Sequence, residues 1–329
     1  MAVFHRALVT GGAGFLGSHL CAALLDAGTE VVCVDNLCTG SMSNVESLRA
    51  REDFTFLDVD VAELDADDAA FDGLDLVMHL ASPASPVDYQ RLGVATLRAG
   101  AIGTDRALAL ALRSGARFLL ASTSEVYGDP LQHPQTESYW GNVNPVGIRS
   151  VYDEAKRYGE ALTMAYRRDL DANTAIARIF NTYGPRMRGA DGRMIPNFVR
   201  QALAGEPLTV SGAGTQTRSI CYVDDTVEGL LALAHSNRPG PMNIGNPTEM
   251  TVLEVARLVA RLAGTDASIT FIDAVEDDPQ RRCPDISRAA DELGWRPRVD
   301  AETGLRRTIA WFAEHSRGAG VRSELPIGV

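Results

Sequence analysis

The chain has 329 residues, with 31 basic and 43 acidic side chains and a formal net charge of −12. An apolar share of 45% and a charged share of 22% exclude a disordered or fibrous chain, and the length suits one large domain or two unequal ones. The acidic balance argues against a nucleic-acid binder, which needs a basic footprint. No apolar run approaches the length that spans a bilayer.

In chain order, short apolar runs at 6–10, 30–35, 54–59, 74–80, 117–122 and 174–180 read as strands. Helical patterns at 14–27, 92–114 and 151–170 lie between them. Strands that are apolar at every position are buried on both faces. Alternated with helices, they predict an α/β fold with a doubly wound parallel sheet of the Rossmann type. The first strand begins near the N-terminus, with no charged-then-apolar signal segment before it.

After Phe180 the pattern breaks into shorter, Gly- and Pro-punctuated elements, which predict a smaller region capping the carboxyl edge of the sheet. Residues 219–222 and the helix after them should return to the first domain. The expected division is 1–181 plus about 215–238 for the cofactor, and 182–214 plus 239–329 for the substrate. Residues 178–222 carry six arginines against two acids, a basic insert in an acidic chain that suits a small anion.

Thr10-Gly11-Gly12-Ala13-Gly14-Phe15-Leu16-Gly17 follows the first strand and opens a helix. Glycine permits the tight turn and the close approach of a pyrophosphate at Gly11, Gly14 and Gly17, and the helix N-terminus offers free N–H groups to it. Asp35 ends the second strand, where a carboxylate accepts bonds from ribose hydroxyls and repels a 2′-phosphate. NAD is therefore the expected cofactor.

Tyr152 and Lys156 stand four residues apart on one helix face. A tyrosine is a poor base at neutral pH, and a nearby ammonium is expected to lower its pKa so that it takes a proton from an alcohol while hydride leaves the carbon. Of the 31 basic residues 30 are arginine, and Lys156 is the one lysine. A compact ammonium is not replaced by a broad guanidinium fork. Thr123-Ser124-Glu125 follows the fifth strand, where ligands of such sheets sit, and brings a hydroxyl and a carboxylate. The five cysteines form no C-x-x-C pair, which fits a reduced, cytoplasmic compartment. The six histidines form no H-x-x-x-H pair, so no metal site is expected.

With these residues the chain resembles the extended short-chain dehydrogenases/reductases, and within them the UDP-glucuronate decarboxylase (UDP-xylose synthase) family. The carrying segments are HLASPASP at 79–86, ASTSEVYGDP at 121–130, Tyr152-x-x-x-Lys156, RIFNTYGPRMR at 178–188, Asp191-Gly192-Arg193, GEPLTVSGAGTQTR at 205–218 and DDPQRRCPDI at 277–286. The resemblance spans about residues 6 to 312. It implies that Tyr152 takes the O4 proton of UDP-glucuronate, that Thr123 bonds O4, and that Glu125 with Arg282 holds a sugar shape favouring loss of CO₂ from the 4-ketone.

The resemblance assigns Ser124, Asn181, Gln216, Arg218 and Arg282 to the substrate, with Tyr89 and Arg98 beside them. To NAD it assigns Phe15, Leu16, Asn36, Thr39, Gly40, Asp60, Val61, Leu80, Ser82, Thr182 and Arg193, with Tyr152 and Lys156. It also implies a homodimer through helices near 92–114 and 151–168.

Related activities part at single positions. Sugar 4,6-dehydratases carry an acid where this chain has Ser124, and 4-epimerases usually lack a glutamate at 125. A UDP-glucuronate 4-epimerase remains the alternative enzyme, and a non-catalytic NAD-binding regulator is the alternative of another class. The family usually has an asparagine where this chain has Gly100. The missing amide is expected to leave a gap near the nicotinamide, through which some UDP-4-keto-xylose is released.

Overall fold

The computed structural model describes residues 4–273 and 281–316. The first half alternates β1 (Arg6–Thr10), α1 (Phe15–Asp26), β2 (Glu30–Val34), β3 (Phe54–Leu57), β4 (Leu76–His79), α2 (Pro86–Arg91), α3 (Gly93–Arg98), α4 (Thr104–Ser114), β5 (Arg117–Thr123), α5 (Ser150–Asp169) and β6 (Thr174–Ile179). The second half contains β7 (Thr182–Tyr183), α6 (Met194–Ala204), β8 (Leu208–Ser211), β9 (Thr217–Ser219), β10 (Cys221–Tyr222), α7 (Val223–His235) and β11 (Met242–Ile244). It continues with β12 (Glu249–Thr251), α8 (Val252–Ala263), β13 (Ile269–Ile272), β14 (Arg281–Arg282), α9 (Ser287–Leu293) and α10 (Ala301–Ser316).

Seven strands form a parallel sheet in the order β11-β6-β5-β4-β1-β2-β3. The strand order reverses between β1 and β4, which opens a crevice at their carboxyl ends. Side chains alternate between the two faces. Val9, Cys33, Met78 and Leu119 enter one core, and Leu8, Val32, Val77 and Phe118 the other. This is why the strands read as apolar throughout. No helix among the described residues is long and apolar enough to cross a membrane.

Two expectations change. The helix expected over 92–114 is split into α3, a π-helical turn at Ala99–Gly103 and α4. The bulge fits close packing, because a Cβ on Gly100 would lie 2.6 Å from Ala155 Cβ and one on Gly103 2.5 Å from Val61. The return to the main sheet also runs beyond residue 238. After β10 pairs with β7, α7 packs on α1 and β11 adds to β6, so the sheet claims the chain through Ile244.

The remaining elements build the capping region. There β8 pairs with β13, and β9 pairs with both β12 and β14. Residues 277–280 of the DDPQRRCPDI segment and the tail from 317 lie outside the described residues.

Candidate active site

A cavity of about 590 Å³ opens at the carboxyl edge of the sheet, between the glycine turn and the capping region. Gly11 adopts a left-handed conformation (φ 69°), and a Cβ there would lie 2.8 Å from the Ala81 backbone nitrogen. A Cβ on Gly17 would collide with the Gly11 carbonyl. The N-cap of α1, Gly14, supplies no side-chain cap, so the first-turn amides remain open to phosphate.

At the far end, Asp35 accepts from the backbone N–H groups of Ala13 at 3.0 Å and Leu37 at 2.8 Å. Burial raises its pKa, and those amides oppose the rise. Asp60 accepts from Asn36 Nδ2 at 2.9 Å and from the Ala62 amide at 2.9 Å. Glycine turn, open helix end and acid form a cradle whose donors and shape fit NAD; Asp35 could accept from its ribose, and Tyr152 and Lys156 line the same cavity.

Lys156 is buried and donates to the Ala121 carbonyl at 2.9 Å, and burial lowers its pKa to about 8. Tyr152 stacks on Tyr89 with ring centroids 5.3 Å apart. Burial pushes Tyr152 up to about 12, and Thr123 and then Arg193 draw it back. The expected lowering of the phenol by the nearby ammonium is not seen in the protein without ligands. Lys156 Nζ is turned onto a carbonyl and sits 5.8 Å from the tyrosine ring centroid, so desolvation prevails in the protein by itself.

Glu125, in the 3-10 turn Ser124–Tyr127 after β5, is held from both sides. Arg282 Nη1 lies 2.9 Å from Oε1, and Arg149 Nη2 lies 2.6 Å from Oε2. Burial alone would raise the Glu125 pKa, but the two guanidiniums overcome it and bring the carboxyl to about 2. Arg282 also donates to Ser124 Oγ at 3.0 Å and to the Gly128 carbonyl at 3.0 Å.

Most expected residues line this cavity: Gly11, Gly14, Phe15, Leu16, Gly17, Asp35, Asn36, Thr39, Asp60, Val61, Leu80, Ser82, Tyr89, Thr123, Ser124, Glu125, Tyr152, Lys156, Asn181, Thr182, Arg193, Gln216 and Arg218. Three expected positions do not. Gly40 stands behind Asp35, where a Cβ would lie 2.7 Å from Oδ1, so its part is to let the loop close on that carboxylate. Arg98 is exposed on α3 and not on the cavity wall, because its helix face turns to solvent. Arg282 is 2% exposed behind Glu125, and acts on the site through that carboxylate.

Arg149 escaped the sequence reading, although it lines the wall three residues before Tyr152 and so shares its helix face. Asp153 also escaped it. This carboxyl is buried beside the cluster, and its pKa is raised by burial and then by Glu125 to about 7. Arg188, in the basic insert, lines the cavity and pairs with Asp88.

Fold and site define a nucleotide-sugar-modifying, NAD-binding member of the extended short-chain dehydrogenase/reductase class, and the chain belongs to the NAD dependent epimerase/dehydratase family, matched over residues 7–245. Within it the match is to the UDP-glucuronic acid decarboxylases. The chain is 52% identical over 301 residues to UDP-glucuronic acid decarboxylase 6 of Arabidopsis thaliana, covering 91% of this chain and 86% of that protein. It is 50% identical over 307 residues to UDP-glucuronic acid decarboxylase 1 of Xenopus tropicalis, covering 93% and 72%. Among solved structures, UDP-glucuronic acid 4-epimerase from Bacillus cereus, in complex with UDP-glucuronic acid and NAD, superposes with a TM-score of 0.84 at 28% identity, covering 94% of this chain and 99% of that one.

Proposed function

We propose that this chain converts UDP-glucuronate to UDP-xylose by decarboxylation through the 4-ketone. The observation that carries the reading is Glu125, clamped between Arg149 and Arg282 beside the Thr123, Tyr152 and Lys156 set. The relatives at about half identity bear the same activity in their names.

When bound, NAD supplies a reversible hydride acceptor. With substrate and NAD bound, Tyr152 removes the O4 proton, Thr123 holds the oxygen, and Lys156 turns its positive charge from the Ala121 carbonyl toward the forming phenolate. Oxidation places a ketone β to the sugar carboxylate, so the electrons released with CO₂ are stabilised as an enolate. Protonation at C5 and return of hydride to C4 complete the product. Glu125 stays ionised between its guanidiniums, so its part is to accept hydrogen bonds and fix the sugar, not to deliver a proton. Asn181, Gln216 and Arg218 line the cavity and would take the UDP part of the substrate, Arg218 through forked, charge-assisted bonds to phosphate.

Ala155 packs against Gly100, where an added Cβ would lie 2.6 Å from its own, and this contact supports UDP-xylose as the main product, with product analysis deciding whether UDP-4-keto-xylose accompanies it. Incubation with UDP-glucuronate and NAD⁺ followed by mass analysis tests the reading. Loss of CO₂ upholds it, and an isomer of unchanged mass would mean a 4-epimerase. No turnover would favour a non-catalytic NAD-binding regulator.

The assembly that accompanies this reading is a homodimer in the cytoplasm. Val94 and Leu97 on α3, Ile102 in the π-helical turn and Tyr158 on α5 are large apolar groups left exposed on the helices expected at the interface. All five cysteines are free thiols, in keeping with a reducing compartment. Light scattering of the native chain and of Leu97→Glu tests the dimer; an unchanged mass for both would count against this interface.

A further inference from the structure

We propose that His133, Glu249 and Cys283 form a binding site for a thiophilic divalent cation, zinc above all, outside the catalytic cavity. Their donor atoms lie within 4.8 Å of one another. They come from three segments that fold together: the loop before α5, the start of β12 and the residue after β14. Imidazole nitrogen, carboxylate oxygen and thiolate sulfur are together a zinc donor set.

The contacts at this point conflict as they stand. His133 Nε2 is 2.9 Å from Glu249 Oε2 and also 2.9 Å from Arg281 Nη2. One ring nitrogen cannot donate to a carboxylate and accept from a guanidinium at the same time. With a proton it faces another donor, and without one it faces another acceptor. Arg281 lies 3.5 Å from Glu249, so a positive group already occupies the position. A metal ion there satisfies every donor: the imidazole and carboxylate lone pairs, and the sulfur of Cys283.

The surroundings are arranged to hold it. Glu249 Oε1 accepts from Thr217 Oγ1 at 2.6 Å, which orients the carboxylate, and the Cys283 amide is fixed by Gln135 Oε1 at 2.9 Å. Cys283 is buried with Sγ pointing to the Pro247 carbonyl at 3.3 Å. Donors around tetrahedral zinc lie about 2.0–2.3 Å from the metal, and so about 3.5 Å from each other. Rotation of the part-exposed His133 and Glu249 closes the difference. Arg281, 57% exposed, turns to solvent. The Cys283 thiol loses its proton to water as the Zn–S bond forms, and no electron is transferred. Cys283 directly follows Arg282, so the ion ties the loop and β12 to the strand that carries Glu125's partner.

Titration of the full chain, stripped with a chelator, with zinc chloride by calorimetry and with cobalt chloride by absorbance tests the site. One ion per chain is expected, with one proton released and a thiolate-to-cobalt charge-transfer band that survives Cys38→Ser. Cys283→Ser should remove the band and weaken zinc binding by more than about tenfold. Arg281→Ala removes the competing cation without touching a ligand, and should tighten zinc a few-fold. No uptake at micromolar zinc, unchanged binding in Cys283→Ser, or no tightening in Arg281→Ala would overturn the proposal.

Discussion

Arg149 Nη2 lies 2.6 Å from Glu125 Oε2, and on the other side of the same carboxylate Arg282 lies 2.9 Å from Oε1. The carboxylate thus enters the cavity with its charge fixed and its orientation set from two elements, the start of α5 and β14. Arg149→Met should leave Glu125 with one partner and a higher pKa. Decarboxylation should fall on the order of 10²-fold, the scale of a small misplacement at a reacting centre. Oxidation should fall less, so NADH absorbance should accumulate during turnover. Equal loss of both steps would show that Arg149 does not act through Glu125.

Lys156 is a buried ammonium whose pKa is lowered to about 8 from an ordinary 10.5. Folding therefore disfavours its charge. The cost is fully present below pH 8 and disappears as pH rises from about 8 to 10.5, where the unfolded chain also loses the proton. Lys156→Met should stabilise the fold at pH 7 by on the order of 2–3 kcal/mol and abolish hydride transfer. Thermal melts at pH 7 and pH 10 check this, with the gain expected to shrink at the higher pH.

Tyr152→Phe should lower the rate of NADH formation from UDP-glucuronate by about 10²–10⁴-fold while UDP binding is retained. In the protein alone the phenol is pushed up to about 12, so bound groups must bring it down. Activity in the native chain should rise with pH as the phenolate forms. A normal NADH signal from Tyr152→Phe would remove the tyrosine from its role.

Asp35→Ser should weaken NAD by about 10–100-fold, through loss of charge-assisted bonds to the ribose, and should narrow the preference over NADP. Calorimetry with both dinucleotides measures the ratio. Gly40 is best left unchanged in that experiment, because a Cβ there presses on the same carboxylate.

Gly100→Ala should destabilise the fold by about 1–3 kcal/mol, since its Cβ would lie 2.6 Å from that of Ala155 and two helices would have to separate. Denaturant titration checks the loss. Product analysis of the native chain should show UDP-xylose as the main product.

The alternation of β-type runs and helices, the glycine turn, Asp35 and the Tyr152–Lys156 spacing were legible from residues 6–180 alone. Each depends on local chemistry: side-chain period, glycine's free backbone, or two residues one helical turn apart. The break in the helix over 92–114 was not legible, because the periodicity of the sequence does not disclose that Ala155 and Val61 press on Gly100 and Gly103. Arg149 could have been found by its spacing from Tyr152, but its partner Glu125 stands 24 residues earlier on another element.

The sequence by itself determined the sheet, the cofactor and the placing of Tyr152 and Lys156 one helical turn apart, since these follow from short stretches whose side chains and backbone meet within one or two elements. Tertiary structure alone decided the charge state of the site. It buried Tyr152 and Lys156 far enough for desolvation to dominate both their pKa values, and it brought Arg282 across 157 residues to Glu125. Burial and long-range pairing depend on what surrounds a group in three dimensions, and neither is written in the spacing of the residues that carry the charge.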